Sequence, residues 1–381
     1  MSHPRPDITV GCHTDRMMQP RDYSALTSAV TTSDVAQSKR ELAGRGGPTL
    51  AKGVWATILI VIFVVVGILF RFDFPAVPDI GADTGRSPVS WVVVGVIIVG
   101  VVVGAVLLGR VIEKRAWTRF IRLTRFATAN GLVYSANGNG NGTSYPGLLF
   151  SIGGGRQFTG VFSHTEAPGF DIGNYRYRTG SGKNQRTHVR GYVAMRLERK
   201  LPHMVLDAVG NNGLFGTSNL PRAFGRDQIL SLEGDFNTYF TLYCPREYER
   251  DALYVFTPDL MALLIDNASA LDVEIVDDWM FVYSMQPFAL DEPGALEPPF
   301  GVIETVGAKT LTQTDRYRDD RASASTAVDE PSSASPSVAP AIRLPTDEVA
   351  PQGRRLSRGV PTAAILTFIG FVVVMYTFIL R

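Results

Sequence analysis

Cysteine is almost absent from this chain. Among 381 residues only Cys12 and Cys244 are cysteines, which is too few for a disulfide framework and gives no zinc-binding spacing. Cys244 follows the alternating run 236–243 and is therefore expected to be a small buried hydrophobic residue. This usage fits a reducing compartment.

Histidine is scarce as well. The five histidines are His3, His13, His164, His188 and His203, and none stands at metal-ligand spacing from another histidine or from a cysteine. The sequence therefore predicts no metal ligand, no histidine-based catalytic triad and no cofactor. We expect the last three to be ordinary strand or loop residues.

Nucleotide-binding and nucleophile motifs are missing too. The run Asn137–Gly142 lacks the G-x-G-x-x-G spacing of a dinucleotide site, and Ile152–Arg156 lacks the Lys-Ser/Thr of a phosphate-binding loop. No G-x-S-x-G or kinase signature occurs. The formal net charge is only +1, so no excess of positive charge predicts nucleic-acid binding.

Long apolar runs, by contrast, are present. Three runs without a charged residue span Gly53–Phe70, Val89–Gly109 and Val360–Leu380. As helices rising about 1.5 Å per residue, they match a hydrocarbon core of about 30 Å. They predict three transmembrane helices. The first run follows a polar stretch of 52 residues, so we expect it to be an anchor rather than a signal peptide.

The basic residues beside these runs predict their orientation. Lysine and arginine are concentrated before the first run, after the second and before the third, whereas the loop 71–88 carries only Arg71 and Arg86. Since these residues mark the cytosolic side, we expect a multi-pass protein of the inner (plasma) membrane. Its N-terminus and main domain would be cytosolic, and its C-terminus would lie outside.

Small residues in the second run suggest a packing surface. Gly100 and Gly104 form a G-x-x-x-G pair, a spacing that lets two helix backbones approach closely. The natural partner is the first run, because the loop between them is short. A homo-oligomer formed through the second run is the alternative.

A basic amphipathic helix is predicted directly after the second run, over Glu113–Asn130, with Gly131 as its C-terminal cap. Its basic residues are Lys114, Arg115, Arg119, Arg122 and Arg125. A helix of this kind that leaves a membrane span is expected to contact the anionic lipids of the inner leaflet. The alternative is that these residues only fix the topology and that the helix packs on the domain.

The remaining sequence divides by composition. Residues 1–52 are predicted to be a disordered cytosolic tail and 310–359 a disordered linker rich in Ser, Ala and Pro. The predicted membrane hairpin is 53–110, the cytosolic domain 111–309 and the last span 360–380.

The cytosolic domain is predicted to be α+β, with a mainly antiparallel sheet and one or two helices besides the three transmembrane helices. A helix is expected from Thr257-Pro258-Asp259 to near Asn267. The predicted strands are Leu132–Ser135, Gly147–Ile152, Gln157–His164, Phe170–Tyr177, Val189–Leu197, Met204–Ala208, one or two within Leu230–Cys244, Asp272–Ile275 and Trp279–Ser284.

Acidic residues are concentrated late in this domain. Alternation places Glu233 and Asp235 on one strand face and Asp272 and Glu274 on another, with Asp277 and Asp278 following. Such faces are expected to be solvated. Cation binding or acid–base chemistry at these carboxylates is the alternative.

The stretch Leu232–Tyr283 resembles a family of uncharacterised bacterial integral-membrane proteins. The likeness is carried by Asp235, Phe236 and Phe240, by the step Glu249–Leu253, by the T-P-D helix start at Thr257 and by a closing strand at Trp279–Tyr283. The resemblance implies a soluble domain of unknown function after paired N-terminal transmembrane helices. It implies no activity, cofactor or site, and a third span is not a feature of the family as a whole.

These observations predict a membrane-anchored protein that is not an enzyme. Its cytosolic domain would bind an unidentified protein partner, the anionic inner leaflet or both. The alternative is a membrane-anchored enzyme with an acidic site within 233–278. Transport is disfavoured because the spans carry no charged residue of the kind that lines a substrate pathway.

Overall fold

A computed structural model describes residues 21–42, 88–138, 145–212, 218, 220–325 and 348–357. The predicted spans Gly53–Phe70 and Val360–Leu380, the loop 71–87 and the tail 1–20 lie outside these residues, as do the predicted linker residues 326–347. The chain divides into two compact units. We call residues 23–129 the helical unit, and residues 1–22 with 130–381 the sheet unit.

The helical unit contains α1 (Ser24–Thr27), α2 (Thr32–Glu41) and α3 (Pro88–Ala129). A capping box begins α2, in which the hydroxyl of Thr31 accepts from the backbone N–H of Asp34 and the Asp34 carboxylate accepts from that of Thr31. The prediction of a disordered tail thus differs from the structure at 21–42, because local capping and contacts to α3 order this segment.

One continuous helix, α3, joins the second predicted span to the predicted basic helix. It runs for 42 residues and ends two residues before Gly131, which has φ +66°. Several described side chains in its first half are apolar and exposed, among them Val96 (66%), Val99 (62%) and Leu108 (57%). Within the described residues, no helix combines the length and apolar character that crossing a bilayer requires, so the three spans stay predictions.

The sheet unit is built on an antiparallel seven-stranded sheet. Its strands are β1 (Val133–Asn137), β2 (Gly154–His164), β3 (Phe170–Thr179), β4 (Arg186–Ala208), β5 (Ile229–Leu230), β6 (Phe240–Tyr243) and β7 (Asp272–Ser284). With its helices, this confirms the predicted α+β class, although the described residues of this unit form more helices than the one or two predicted.

The longest strand, β4, organises the sheet. It pairs with β3 over its first part and with β6 over its last, while β7 pairs along its opposite edge. The predicted strands Val189–Leu197 and Met204–Ala208 are therefore parts of one strand. Register shifts between Arg196 and Met204 let the strand bend there.

The helices of the sheet unit follow β5 along the chain. They are α4 (Phe236–Tyr239), α5 (Glu249–Val255), α6 (Pro258–Ala268), α7 (Pro293–Val302), α8 (Ala308–Thr314) and α9 (Asp320–Ser325), with a π-helical turn (Ile303–Gly307) between α7 and α8. The predicted start of α6 at Thr257-Pro258 is confirmed. The α7–α8 segment packs on the sheet, where Phe300 meets Phe170 with ring centres 6.3 Å apart.

The opposite face of the sheet carries an aromatic core closed by the segment 145–152. Phe150 lies with its ring centre 5.0 Å from Tyr175, 5.3 Å from Tyr192 and 5.4 Å from Phe281. Gly147 approaches so closely that an added Cβ would lie 2.9 Å from Phe281 Cδ2.

The predicted strand Gly147–Ile152 is wrong. Residues Leu148–Ser151 form a 3₁₀ turn whose three apolar side chains are all buried. A strand would bury every second residue, whereas this tight turn directs consecutive side chains into the core.

Two further segments differ from the predictions. Asp272–Ile275 and Trp279–Ser284 are one strand with Asp277 at φ +54°. The predicted linker 310–359 is helical at 310–314 and 320–325, and residues 348–357, here called the C-terminal strap, pack on the sheet unit. Specific hydrogen bonds and ion pairs order the strap in spite of its linker-like composition.

The aromatic core generates a stability prediction. Phe281 has no exposed surface, so Phe281→Ala should lower the free energy of unfolding by about 3–5 kcal/mol. Denaturant unfolding of the full chain in detergent measures this. The control Leu253→Ala removes a side chain that is 51% exposed and should change stability by under about 1 kcal/mol. Equal effects of the two variants would contradict the assigned core.

Candidate functional site

The carboxylate of Glu274, which is 1% exposed, accepts three hydrogen bonds inside the sheet unit. Its Oε2 accepts from the backbone N–H of Leu148 at 2.8 Å and from the hydroxyl of Tyr283 at 2.6 Å. Its Oε1 lies 2.8 Å from Nε2 of His203. Three separate segments therefore meet at one side chain.

The hydrogen bonds of His203 assign its tautomer. Nδ1 accepts from the backbone N–H of Leu356 at 3.1 Å, so it carries no proton. Nε2 therefore carries the proton and donates it to Glu274. Burial and the adjacent Glu274 carboxylate raise the pKa of Tyr283 well above its usual value, which keeps its hydroxyl a donor.

The hydrogen bond between His203 and Glu274 resembles the one between the histidine and the acid of a hydrolytic triad, but the pair differs in one respect. In a triad the second imidazole nitrogen faces the nucleophile and accepts its proton. Here Leu356 N–H occupies that nitrogen. The imidazole has no nitrogen left to accept a proton from a substrate, so the cluster ties segments together rather than performing acid–base work.

An acidic pair, Asp207 and Asp272, lies at the end of β4 and the start of β7. Asp272 is 5% exposed, and its Oδ1 accepts from Ala208 N–H at 3.0 Å and from Asn211 Nδ2 at 3.1 Å. Burial raises its pKa to about 6, and the negative charge of Asp207 adds to the rise. Burial likewise raises the pKa of Asp207.

A small cavity borders Asp272. Its volume is about 50 Å³, and its lining includes Tyr177, Arg190, Asp272 and Tyr283. This space suffices for one or two water molecules and is far below the several hundred Å³ of a metabolite site. Within the described ranges, no group of three or more His, Cys, Asp or Glu could hold a metal ion.

Only some of the acidic residues that were predicted to lie on solvated strand faces are exposed. Glu233 and Asp235 are exposed in the turn before α4, whereas Asp272 and Glu274 are buried. The solvated-face prediction is therefore wrong for Asp272 and Glu274, because β7 is buried on both of its faces over 272–276.

The last two predicted acids form surface ion pairs. Asp277 binds Arg355 of the strap with both carboxylate oxygens, at 3.0 and 2.8 Å, and Asp278 binds Arg196 at 2.6 Å. The structure thus brings Asp272 and Glu274 near the core but does not gather the six predicted acids into one site.

The predicted basic residues of α3 separate into two groups. Lys114, Arg115 and Arg119 are exposed. Arg122 and Arg125 are half-buried and donate to the carbonyls of Ser28 and Ala29 in the segment before α2. The membrane-surface prediction therefore depends mainly on the exposed three.

Gly100 and Gly104 are exposed on α3, and a Cβ built at either would meet no atom within 4 Å. Their predicted helix partner, Gly53–Phe70, lies outside the described residues. Packing at these glycines stays a prediction.

Sequence reasoning missed His203, Tyr283 and Leu148 as partners of Glu274. A usable signal exists in the run Leu201–Ala208, where His203 and Asp207 interrupt an apolar strand on one face. Cys244, by contrast, is confirmed as a buried residue, and burial raises its thiol pKa to about 12.

Comparisons with known proteins add little to this geometry. No protein-family model and no curated protein matches the chain. Among solved structures, the crystal structure of the mycobacterial trehalose monomycolate transport factor A, TtfA, aligns with 51% of this chain and 90% of its own, at 12% identity and a TM-score of 0.32. A likeness at that level carries no argument about this chain.

The hydrogen bonds of Glu274 predict the effect of Glu274→Gln. An amide has one acceptor oxygen and one N–H₂ donor, so at least one of Leu148 N–H or His203 Nε2–H would face another donor. The free energy of unfolding should fall by about 1–3 kcal/mol. Denaturant unfolding checks this, with the exposed Glu233→Gln as the matched control. An unchanged stability of Glu274→Gln would count against the network.

The raised pKa of Asp272 predicts that the free energy of unfolding depends on pH. Its folded-state pKa is about 6 against an ordinary 3.8, so the folded chain binds more protons than the unfolded chain between these values. The free energy of unfolding therefore falls as pH rises through that window, by roughly 2–3 kcal/mol.

Asp272→Asn should remove this fall and stabilise the chain near pH 7, since the amide oxygen still accepts both bonds made by Oδ1. Unfolding curves of the variant and the parent chain at pH 4 and 7 measure the difference. The exposed Asp266→Asn is the control. A parallel pH dependence of Asp272→Asn and the parent would refute the assignment.

Proposed function

We propose that this chain is a multi-pass protein of the inner membrane whose main domain, residues 111–309, lies in the cytosol and binds a protein partner, the anionic inner leaflet or both. In this proposal the N-terminus is cytosolic, the loop 71–88 and the C-terminus lie outside, and the chain is not an enzyme. Its relation to the family of uncharacterised bacterial membrane proteins is part of the same proposal.

The observation that carries the proposal is the change of character along α3. Exposed apolar residues, including Val99, Val103 and Leu107, give way after Gly109 to the exposed cations Lys114, Arg115 and Arg119. Water penalises such an apolar helix surface, whereas hydrocarbon does not. The cations at its mouth favour the anionic cytosolic leaflet.

The sheet unit supports a binding role through its charge. Between Asp171 and Glu198 the sequence carries six basic residues and no acid. Arg178, Lys183 and Arg186 are exposed at the tip of the β3–β4 hairpin. A surface of this sign attracts an acidic partner or an anionic leaflet.

A second candidate function is acid–base chemistry at Asp272. The pKa of about 6 favours it, since catalytic carboxyl groups often have raised pKa values. The geometry favours the first proposal, because Asp272 accepts two structural hydrogen bonds and borders a cavity of only about 50 Å³.

Topology is tested by cysteine labelling in intact cells. Single cysteines are placed at Asp79, in the loop 71–88, and at Asn184, exposed at the β3–β4 hairpin tip, in a Cys12→Ser background. Cys244 stays in place because its buried thiol, with a pKa of about 12, is unreactive.

A membrane-impermeant maleimide should label Asp79→Cys in intact cells and Asn184→Cys only after permeabilisation. Labelling of both variants after permeabilisation is the control for reactivity. The reverse pattern in intact cells would overturn the proposed orientation, and release of the chain by alkaline carbonate would overturn its membrane anchoring.

A further inference from the structure

A polar pocket lies within the helical unit, between α2 and the middle of α3. Its volume is about 260 Å³. Its lining includes Thr31, Thr32, Lys39, Arg110, Lys114 and Trp117. On α3 the lining positions 110, 114 and 117 follow helical spacing, so they project from one face of that helix.

Specific contacts fix the pocket. Arg125 binds the Asp34 carboxylate at 3.0 Å, and Arg122 donates to the carbonyl of Ser28 at 3.0 Å. These bonds hold the N-terminal segment against α3. They also explain why two of the predicted surface cations face inward.

The charge of the pocket is positive. Lys39 binds Glu113 at 2.6 Å and lies 5.5 Å from the centre of the Trp117 ring, so these two charges offset each other. Arg110 and Lys114 remain exposed, and within the residues described here neither forms an ion pair with an acid. Two cations beside the Thr31 and Thr32 hydroxyls provide charge-assisted donors for a phosphate group.

The position of the pocket indicates the source of that phosphate. Arg110 is the first charged residue after the apolar run Val89–Gly109. If α3 enters the membrane as proposed above, the pocket lies at the level of the lipid headgroups, where tryptophan is also enriched. Basic pockets at the cytosolic end of transmembrane helices are suited to anionic headgroups.

We propose that the pocket between α2 and α3 binds the phosphate group of an anionic phospholipid headgroup. Arg110 and Lys114 supply the charge, and the hydroxyl of Thr32 supplies a further donor. This inference rests on the proposed membrane anchoring. It goes further by assigning lipid recognition to a defined pocket rather than to a general basic surface.

The test measures binding to the full chain in detergent. The probes are dioctanoyl phosphatidylglycerol, dioctanoyl phosphatidylcholine and glycerol 3-phosphate. Phosphatidylglycerol should bind most tightly, and Lys114→Gln should weaken it about tenfold, which is the loss of one charge-assisted contact. Arg40→Gln is the matched control, since Arg40 is exposed on α2 outside the pocket lining and loses an equal charge, and it should change the Kd less than about threefold.

Thr32→Val removes a hydroxyl but no charge, so it leaves the basic residues that orient the chain in the membrane unchanged. It should weaken phosphatidylglycerol binding about threefold to fivefold. Equal weakening of phosphatidylglycerol binding by Lys114→Gln and Arg40→Gln would overturn the proposed lipid site, as would wild-type affinity of Lys114→Gln. Competition by glycerol 3-phosphate at equal affinity would support a phosphate site but reject the lipid as its source. Release of the chain by carbonate would contradict the membrane anchoring. If the chain stays in the membrane but Lys114→Gln binds phosphatidylglycerol with unchanged affinity, only the proposed lipid site is contradicted.

Discussion

The sheet unit depends on one buried carboxylate. Glu274 receives hydrogen bonds from the 3₁₀ turn through Leu148, from β7 through Tyr283 and from β4 through His203. His203 extends the connection to Leu356 in the C-terminal strap. Burying a carboxylate is costly unless its oxygens are satisfied, so all of these segments must be in place for the charge to be tolerated.

The same hydrogen bonds connect the strap with the 3₁₀ turn that closes the aromatic core. The strap is also held by Asp319, whose carboxylate accepts from Ala350 N–H at 2.9 Å and from the Tyr248 hydroxyl at 2.6 Å. Burial alone would raise the pKa of Asp319, but the hydrogen bonds from Tyr248, Ala350 and Arg321 outweigh it and hold the pKa below its usual value. Buried acids thus connect segments far apart in sequence.

Local signals in the sequence predicted part of this structure. The start of α6 at Pro258, the strands around 157–164 and 170–177 and the burial of Cys244 follow from the proline at the first helical position, from alternation and from residue size. The 3₁₀ turn at 148–151 and the ordered strap did not follow, because both depend on partners more than 100 residues away. Asp272 and Glu274 were misassigned because both faces of β7 are buried over 272–276, so neither face is the solvated face that alternation led us to expect.

Locating the proton on the His203 ring tests most directly whether His203 links Glu274 to the strap. Nitrogen-15 NMR of histidine-labelled full chain, with His203→Gln used for assignment, distinguishes a protonated from an unprotonated ring nitrogen. From the hydrogen bonds we expect the proton on Nε2 and Nδ1 acting as an acceptor. A proton on Nδ1, or a doubly protonated ring, would contradict it.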